Sequence, residues 1–213
     1  MRPLLCALAL SLIALAPARA DPPTGELNAS AGALASGMIG DANAEGVFEI
    51  VPDEHLVAVR HIRSGLVCRL DPNSGNRIVF YPQAARGEDV GCESRNDAGE
   101  MIKLIATRYS VEAQLDVQIQ LTDDLIHRQF PDAQTLPAST QTIGSVRSRT
   151  IQFMITRDGV PTYTRASIAV IGQWTYSLRY SAPARDAAAA ARAERTASAL
   201  WSQTLGELTT THS

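Results

Sequence analysis

The run VRSRTIQFMITRDGVPTYTRASIAVIGQWTYSLRYS, residues 146–181, decides the fold class. Val146 to Thr156 is a β-prone segment that runs into Arg157-Asp158-Gly159, and Asp-Gly is a strong hairpin turn signal. Val160 to Ile171 follows and reaches Gly172-Gln173, after which Trp174 to Ser181 completes a three-stranded antiparallel meander. Within the last strand, alternation places Trp174, Tyr176 and Leu178 on one face and Thr175, Ser177 and Arg179 on the other. The aromatic set reads as core rather than as a ligand platform.

Working outward, the pattern on both sides of the meander is helical. After Pro183 an alanine-rich helix carries Ala193, Ala197, Leu200, Trp201 and Leu205 on one face, with Gly206 placed to end it. Upstream, Ser110 is the expected N-cap of a long central helix. Its apolar positions, Val111, Leu115, Ile119, Thr122, Ile126 and Phe130, recur at intervals of three and four until Pro131. Residues 131–142, rich in Pro, Ser and Thr, are expected to be a connection. Met101 to Tyr109 is expected to be a buried strand.

Further toward the N-terminus, short β segments alternate with turns: Val47 to Val51, His55 to His61, Leu66 to Leu70 and Arg77 to Tyr81. Residues 83–99 read as a long charged loop. Residues 21–46 are rich in Ala, Gly, Ser and Asn and read as a loosely ordered arm. A short helix there would carry Leu27, Ala31, Leu34 and Met38, but Gly32 and Gly37 weaken it. The expectation is an α+β fold. N-terminal hairpins and the C-terminal meander form antiparallel sheet, packed by the central and C-terminal helices in one domain over 47–208. Aromatic residues are only 5% of the chain, so aliphatic side chains must supply most of its core.

The first residues carry an address. Met1-Arg2-Pro3 precedes an apolar run from Leu4 to Ala16 and the small-residue ending Pro17-Ala18-Arg19-Ala20. This is the pattern of a secretory signal peptide, residues 1–20, with cleavage expected after Ala20. The apolar run is too short to span a bilayer, which takes roughly 20 residues. No later run is long or apolar enough either, so no membrane span is expected in the mature form. Cys6 lies at the start of the apolar run rather than at its end, where a lipid-modified cysteine would stand. A periplasmic or secreted location follows, and with it an oxidising environment. Of the cysteines that remain, Cys68 and Cys92 are expected to form a disulfide. The alternatives, a reactive thiol pair or a metal site, lack CxxC spacing and a nearby histidine pair.

Charge and motifs exclude more than they identify. The formal net charge is −3, acidic residues dominate before Pro131, and basic ones dominate after it. Arg147, Arg149, Arg157, Arg165 and Arg179 are scattered, with no basic stripe interleaved with aromatics, so nucleic acid is not an expected partner. His55 and His61 share a predicted strand face but would stand about 20 Å apart, too far for one metal ion. His61 and Ser64 lie close together at a turn, and a hydrolase built on them is the alternative functional reading. It lacks GxSxG, and no HExxH is present for a zinc protease. No cofactor motif is found. The charged loop, with Arg86, Glu88, Asp89, Glu93 and Arg95, is the candidate interaction surface, because loops on rigid scaffolds concentrate function.

One resemblance adds to this. Gly172-Gln-Trp-Thr-Tyr-Ser-Leu-Arg-Tyr-Ser-Ala-Pro183, followed by a helix ending in Leu200-Trp-Ser-Gln-Thr-Leu205, resembles the end of PsbP-like proteins. There a last strand of small and aromatic residues runs into Ser-x-Pro and a closing helix. The similarity covers roughly residues 100–205. It implies a non-catalytic α+β module, often an exported accessory or assembly factor whose partner is an envelope protein or a small ligand. No binding residue is carried over from it.

Overall fold

Asp158 and Gly159 both adopt positive φ, 51° and 76°, as a two-residue hairpin turn requires. In this computed structural model, which describes residues 24–211, that turn joins β8 (Val146–Arg157) to β9 (Val160–Ile171). Gly172, at φ 58°, turns β9 into β10 (Trp174–Pro183). The meander is longer than its sequence suggests. Residues 131–142 are not a simple connection, because Gln134–Ile143 forms an edge strand, β7, paired with β8. Its register shifts between Leu136 and Ser139, around Pro137. A proline cannot donate to a ladder and is tolerated at an edge bulge.

β10 then pairs antiparallel with β6 (Met101–Arg108), which pairs with β5 (Asp89–Arg95), which pairs with β4 (Gly75–Phe80). The result is a seven-stranded sheet of order β4-β5-β6-β10-β9-β8-β7. A second sheet of three strands, β1 (Phe48–Ile50), β2 (Val57–His61) and β3 (Val67–Leu70), lies beside it. The fold is α+β, with antiparallel sheets and a C-terminal helix. A disulfide joins Cys68 on β3 to Cys92 on β5, Cα atoms 6.3 Å apart, and so ties one sheet to the other. Such a bond implies an oxidising compartment.

Three helices complete the layers. α3 (Ala187–Thr211) lies on the face bearing Trp174, Tyr176, Leu178 and Tyr180, and presents Ala193, Ala197, Trp201, Leu205 and Leu208 to a common core. The Trp174 set is therefore core. Gly206 does not end α3; the helix runs on to Thr211, and the Thr209 and Thr210 hydroxyls donate to the Gly206 carbonyl.

On the same side α1 (Thr24–Asp41) replaces the expected arm. It buries Ala31, Ala35, Met38 and Ile39, whereas Leu34 stays exposed, so the buried face is rotated from the predicted one. Gly32, Gly37 and Gly40 have open space where a Cβ would stand. Packing of the small-residue face therefore outweighs their low helix propensity. The expected signal peptide lies outside the described residues. Among the described residues no helix is long and apolar enough to cross a membrane.

The opposite sheet face is covered by α2 (Leu115–Gln129), whose Ile119 and Ile126 pack with Ile151, Phe153, Ile155, Ala166 and Ile168 of β8 and β9. Ser110 is not its cap: Gln114 holds that position and makes no side-chain cap bond. Residues 109–114 instead form a non-helical connection, which the Tyr109 N–H starts by donating to the Gln173 carbonyl. Because α2 sits over β8 and β9, the β4–β6 part of this face keeps half-exposed side chains such as Val79, Lys103 and Ile105.

Candidate functional site

A row of charges crosses that open face. Strand register places Arg77, Glu93, Lys103 and Arg179 side by side on β4, β5, β6 and β10. Glu93 is 9% exposed and serves two cations: Arg77 Nε donates to its Oε2 at 2.9 Å, and Lys103 Nζ to its Oε1 at 2.5 Å. Burial alone would raise the Glu93 carboxyl, but these hydrogen bonds and charges outweigh it and hold its pKa low. Arg179 comes next in the row and pairs with no carboxylate among the described residues. Burial lowers its pKa, and the neighbouring Tyr81 phenol offsets part of that effect.

Arg179 faces a cleft of about 450 Å³ between α2 and the sheet. Lys103, Ile105, Tyr81, Leu125 and Phe130 also line it. Tyr81 gets there because β5 has a glycine below it. A Cβ on Gly91 would stand 3.5 Å from the Tyr81 ring and 2.7 Å from the Leu104 carbonyl oxygen, so no side chain fits. The helical wall is apolar on its outer flank. Val117, Leu121 and Leu125 recur every four residues and are 47%, 54% and 45% exposed, forming one stripe beside the cleft.

Charge differs along the open face on which the cleft lies. Near the C-terminus of α2, the Arg157 guanidinium lies 5.7 Å from the Phe130 ring centre and lines the cleft together with Lys103 and Arg179. Near its N-terminus, Tyr109 donates to Gln118, and Asp89 sits on the same sheet face across from Thr107. Thr107 donates to Asp89 Oδ1 at 2.8 Å, yet burial dominates and raises the Asp89 pKa. Thr175, opposite Thr107, has a buried hydroxyl with no hydrogen-bond partner.

The expected interaction loop is thus corrected. Residues 83–99 are not one loop but contain strand β5, in which Val90, Cys92 and Ser94 alternate inward while Asp89, Glu93 and Arg95 alternate outward onto the open face. Arg86 and Glu88 lie in the preceding turn. Arg86 stacks 4.1 Å over Phe80 and donates to the Asn43 carbonyl, so it pins the end of α1. Glu88 accepts from Arg108 at 2.9 Å and from Arg63 at 3.3 Å, and the Arg108 hydrogen bond lowers its pKa. Lys103, Tyr81, Arg179 and the Leu125 stripe were not picked out as a site from sequence. A second apolar stripe on the helix, at Val117, Leu121 and Leu125, was the available signal.

His61 and Ser64 do meet. His61 Nδ1 and Ser64 Oγ are 2.8 Å apart, but both residues are fully buried. His61 lies between Phe48 and Trp174, with ring centres 5.2 and 5.5 Å away. Burial, reinforced by the nearby Arg63 charge, lowers its pKa to about 4. Its Nε2 is buried without a partner, so no carboxylate orients the ring. Ser64 Oγ also accepts from the Leu66 N–H, and the Tyr176 hydroxyl donates to the Ser64 carbonyl at 2.6 Å. These contacts hold a turn against the core and leave no path for a substrate. His55 is exposed before β2 starts and does not share a strand with His61. Among the described residues no group of three or more His, Cys, Asp or Glu is placed to hold a metal ion.

A further cavity of about 430 Å³ lies between α1 and β2, lined by Ala31, Ala35, Leu56 and Asp53. Asp53 there is paired with Arg69, and the exposed Glu54 is the other carboxylate in the lining, so this space presents negative rather than positive charge. No protein family's profile matches the chain, and no curated protein matches it. Among solved structures, it is similar to a protein of unknown function from Pseudomonas aeruginosa described as a presumed regulator. The two are 11% identical, with a TM-score of 0.39, covering 71% of this chain and 94% of the other.

Proposed function

We propose that this is an exported, periplasmic, non-catalytic binding or accessory protein that acts through the cleft between α2 and the open sheet face. The observation that carries it is Arg179: a largely enclosed guanidinium, facing a cleft and matched by no carboxylate among the described residues, beside an exposed apolar helix stripe. A convergent cation on apolar walls is the usual composition of a binding site. The disulfide and the signal-like first twenty residues support the compartment. The PsbP-like ending supports an accessory role. Burial of His61 and Ser64 weighs against the hydrolase alternative.

Site-specific photocrosslinking tests it. A photoreactive residue at Leu121 on the stripe beside the cleft, compared with one at the exposed Ser30 of α1, is irradiated in the protein's own envelope fraction. Discrete crosslinks at position 121 and none at position 30 are expected. Equal labelling at both positions would reject the cleft as the working surface.

A further inference from the structure

We propose that the cleft takes a single-chain anionic amphiphile, with its carboxylate or phosphate head on Arg179 and Lys103 and its alkyl chain along Ile105, Leu125 and Leu121. This inference rests on the cleft reading above and gives the cleft a ligand class. Three observations carry it.

First, among the described residues that line the cleft there are cations and no carboxylate. Glu93 has given one oxygen to Arg77 and the other to Lys103, so Arg179 has no share in it. A guanidinium offers five donors in a planar fork that suits carboxylate and phosphate oxygens. A cationic ligand would be repelled by Arg179, and a neutral one could return only weaker bonds to uncharged acceptors for the water it removes.

Second, charge is uneven along the open sheet face that floors the cleft and runs on past it. Lys103, Arg157 and Arg179 line the cleft near Phe130, whereas Asp89 lies beyond the lining, opposite Thr107 and four residues from Glu93 along β5. That is about 13 Å at strand spacing. An anionic head is drawn to the first end and repelled from the second, so the tail must point toward Asp89 and Tyr109. The apolar stripe runs the same way, from Leu125 to Val117, over about 12 Å of helix rise.

Third, the size fits a chain rather than a folded segment. A space of about 450 Å³ lies within the range of small-ligand sites, roughly 300–1,000 Å³. A helix, about 10–12 Å across with its side chains, does not enter it. The competing occupant, an acidic protein segment, would have to lie over the mouth and leave Arg179 behind it.

Calorimetric titration of the oxidised protein tests the inference, using laurate, dodecyl phosphate, dodecanol, acetate and inorganic phosphate, each amphiphile below its micellar concentration. Laurate or dodecyl phosphate is expected to bind at least tenfold tighter than dodecanol, and whichever is tighter identifies the head. Acetate and phosphate, which lack a tail, are expected to give no measurable heat. Arg179→Met should weaken the anionic amphiphile at least tenfold while leaving dodecanol unchanged. Leu125→Glu should weaken both. Thermal unfolding establishes that each variant is folded, and Lys103→Gln reads the same head-group loss if Arg179→Met does not fold.

Equal affinity for laurate and dodecanol would overturn the inference. So would an unchanged Arg179→Met protein, or no binding of any amphiphile. If the amphiphiles fail but position 121 still crosslinks a protein, the ligand class falls and the cleft reading stands. If both fail, both fall.

Discussion

Acid should weaken this protein through one histidine. His61 is fully buried between Phe48 and Trp174, and its pKa falls from 6.5 to about 4 because burial, and then the Arg63 charge, disfavour the imidazolium. Below pH 6.5 the unfolded chain takes up a proton that the folded chain refuses. The depressed pKa therefore costs nothing well above pH 6.5, and stability is lost as pH falls from there toward 4, with the loss complete below about 4. A shift of this size corresponds to a loss of about 2 kcal/mol between roughly pH 7 and pH 4.5. The perturbation is the double variant His61→Phe, Ser64→Ala. It keeps a ring between Phe48 and Trp174 and removes the hydroxyl that Nδ1 meets at 2.8 Å. Urea unfolding of both proteins across that pH interval gives the difference, and carboxylate titrations common to both cancel. The wild type should lose about 2 kcal/mol more than the variant. Parallel pH profiles would refute a buried neutral His61, and with it the sealed turn that argues against a hydrolase.

Other perturbations read separate parts of the fold. Replacing Cys68 and Cys92 together by serine should cost about 3 kcal/mol in urea unfolding, because the bond closes a loop of sequence separation 24. Unchanged stability would mean that the sheets hold together without it. Trp201→Ala should cost about 3–5 kcal/mol, since the indole is fully buried and its Nε1 donates to Ser148 Oγ at 3.2 Å. A thermal midpoint near wild type would contradict α3 as the lid of the main core. Gly91→Ala should destabilise by about 1–3 kcal/mol, because the new methyl meets the Leu104 carbonyl at 2.7 Å, and backbone must move. Leu121→Ser should change stability by no more than about 0.5 kcal/mol, the leucine being 54% exposed. A large loss would mean that the stripe is packed rather than available.

The meander, the strand over Met101–Arg108 and the closing helix were legible because each has a single strong period and clear turn chemistry. Asp158-Gly159 alone fixes the β8–β9 register. What failed to show in the sequence had packing behind it. α1 carries four glycines and a row of alanines, a poor helix by propensity, and is stabilised by burying Ala31, Ala35 and Met38. β5 was hidden because Glu93 and Asp89 give its outer face the composition of a loop, although Val90, Cys92 and Ser94 mark the inner one. β7 was hidden by Pro137, which an edge bulge accommodates. The site was harder still. Arg77, Glu93, Lys103 and Arg179 are spread along the chain and become a row only through the order β4-β5-β6-β10. The pairing of β6 with β10 skips three strands and a helix, and no local pattern announces it.

The location of binding is tested most directly by backbone NMR of the oxidised protein titrated with laurate. The account predicts shift changes confined to Lys103, Ile105, Leu121, Leu125 and Arg179, the residues that wall the cleft or carry its apolar stripe. Changes centred instead on Ala31, Ala35 and Leu56, in the cavity beside α1, would contradict it.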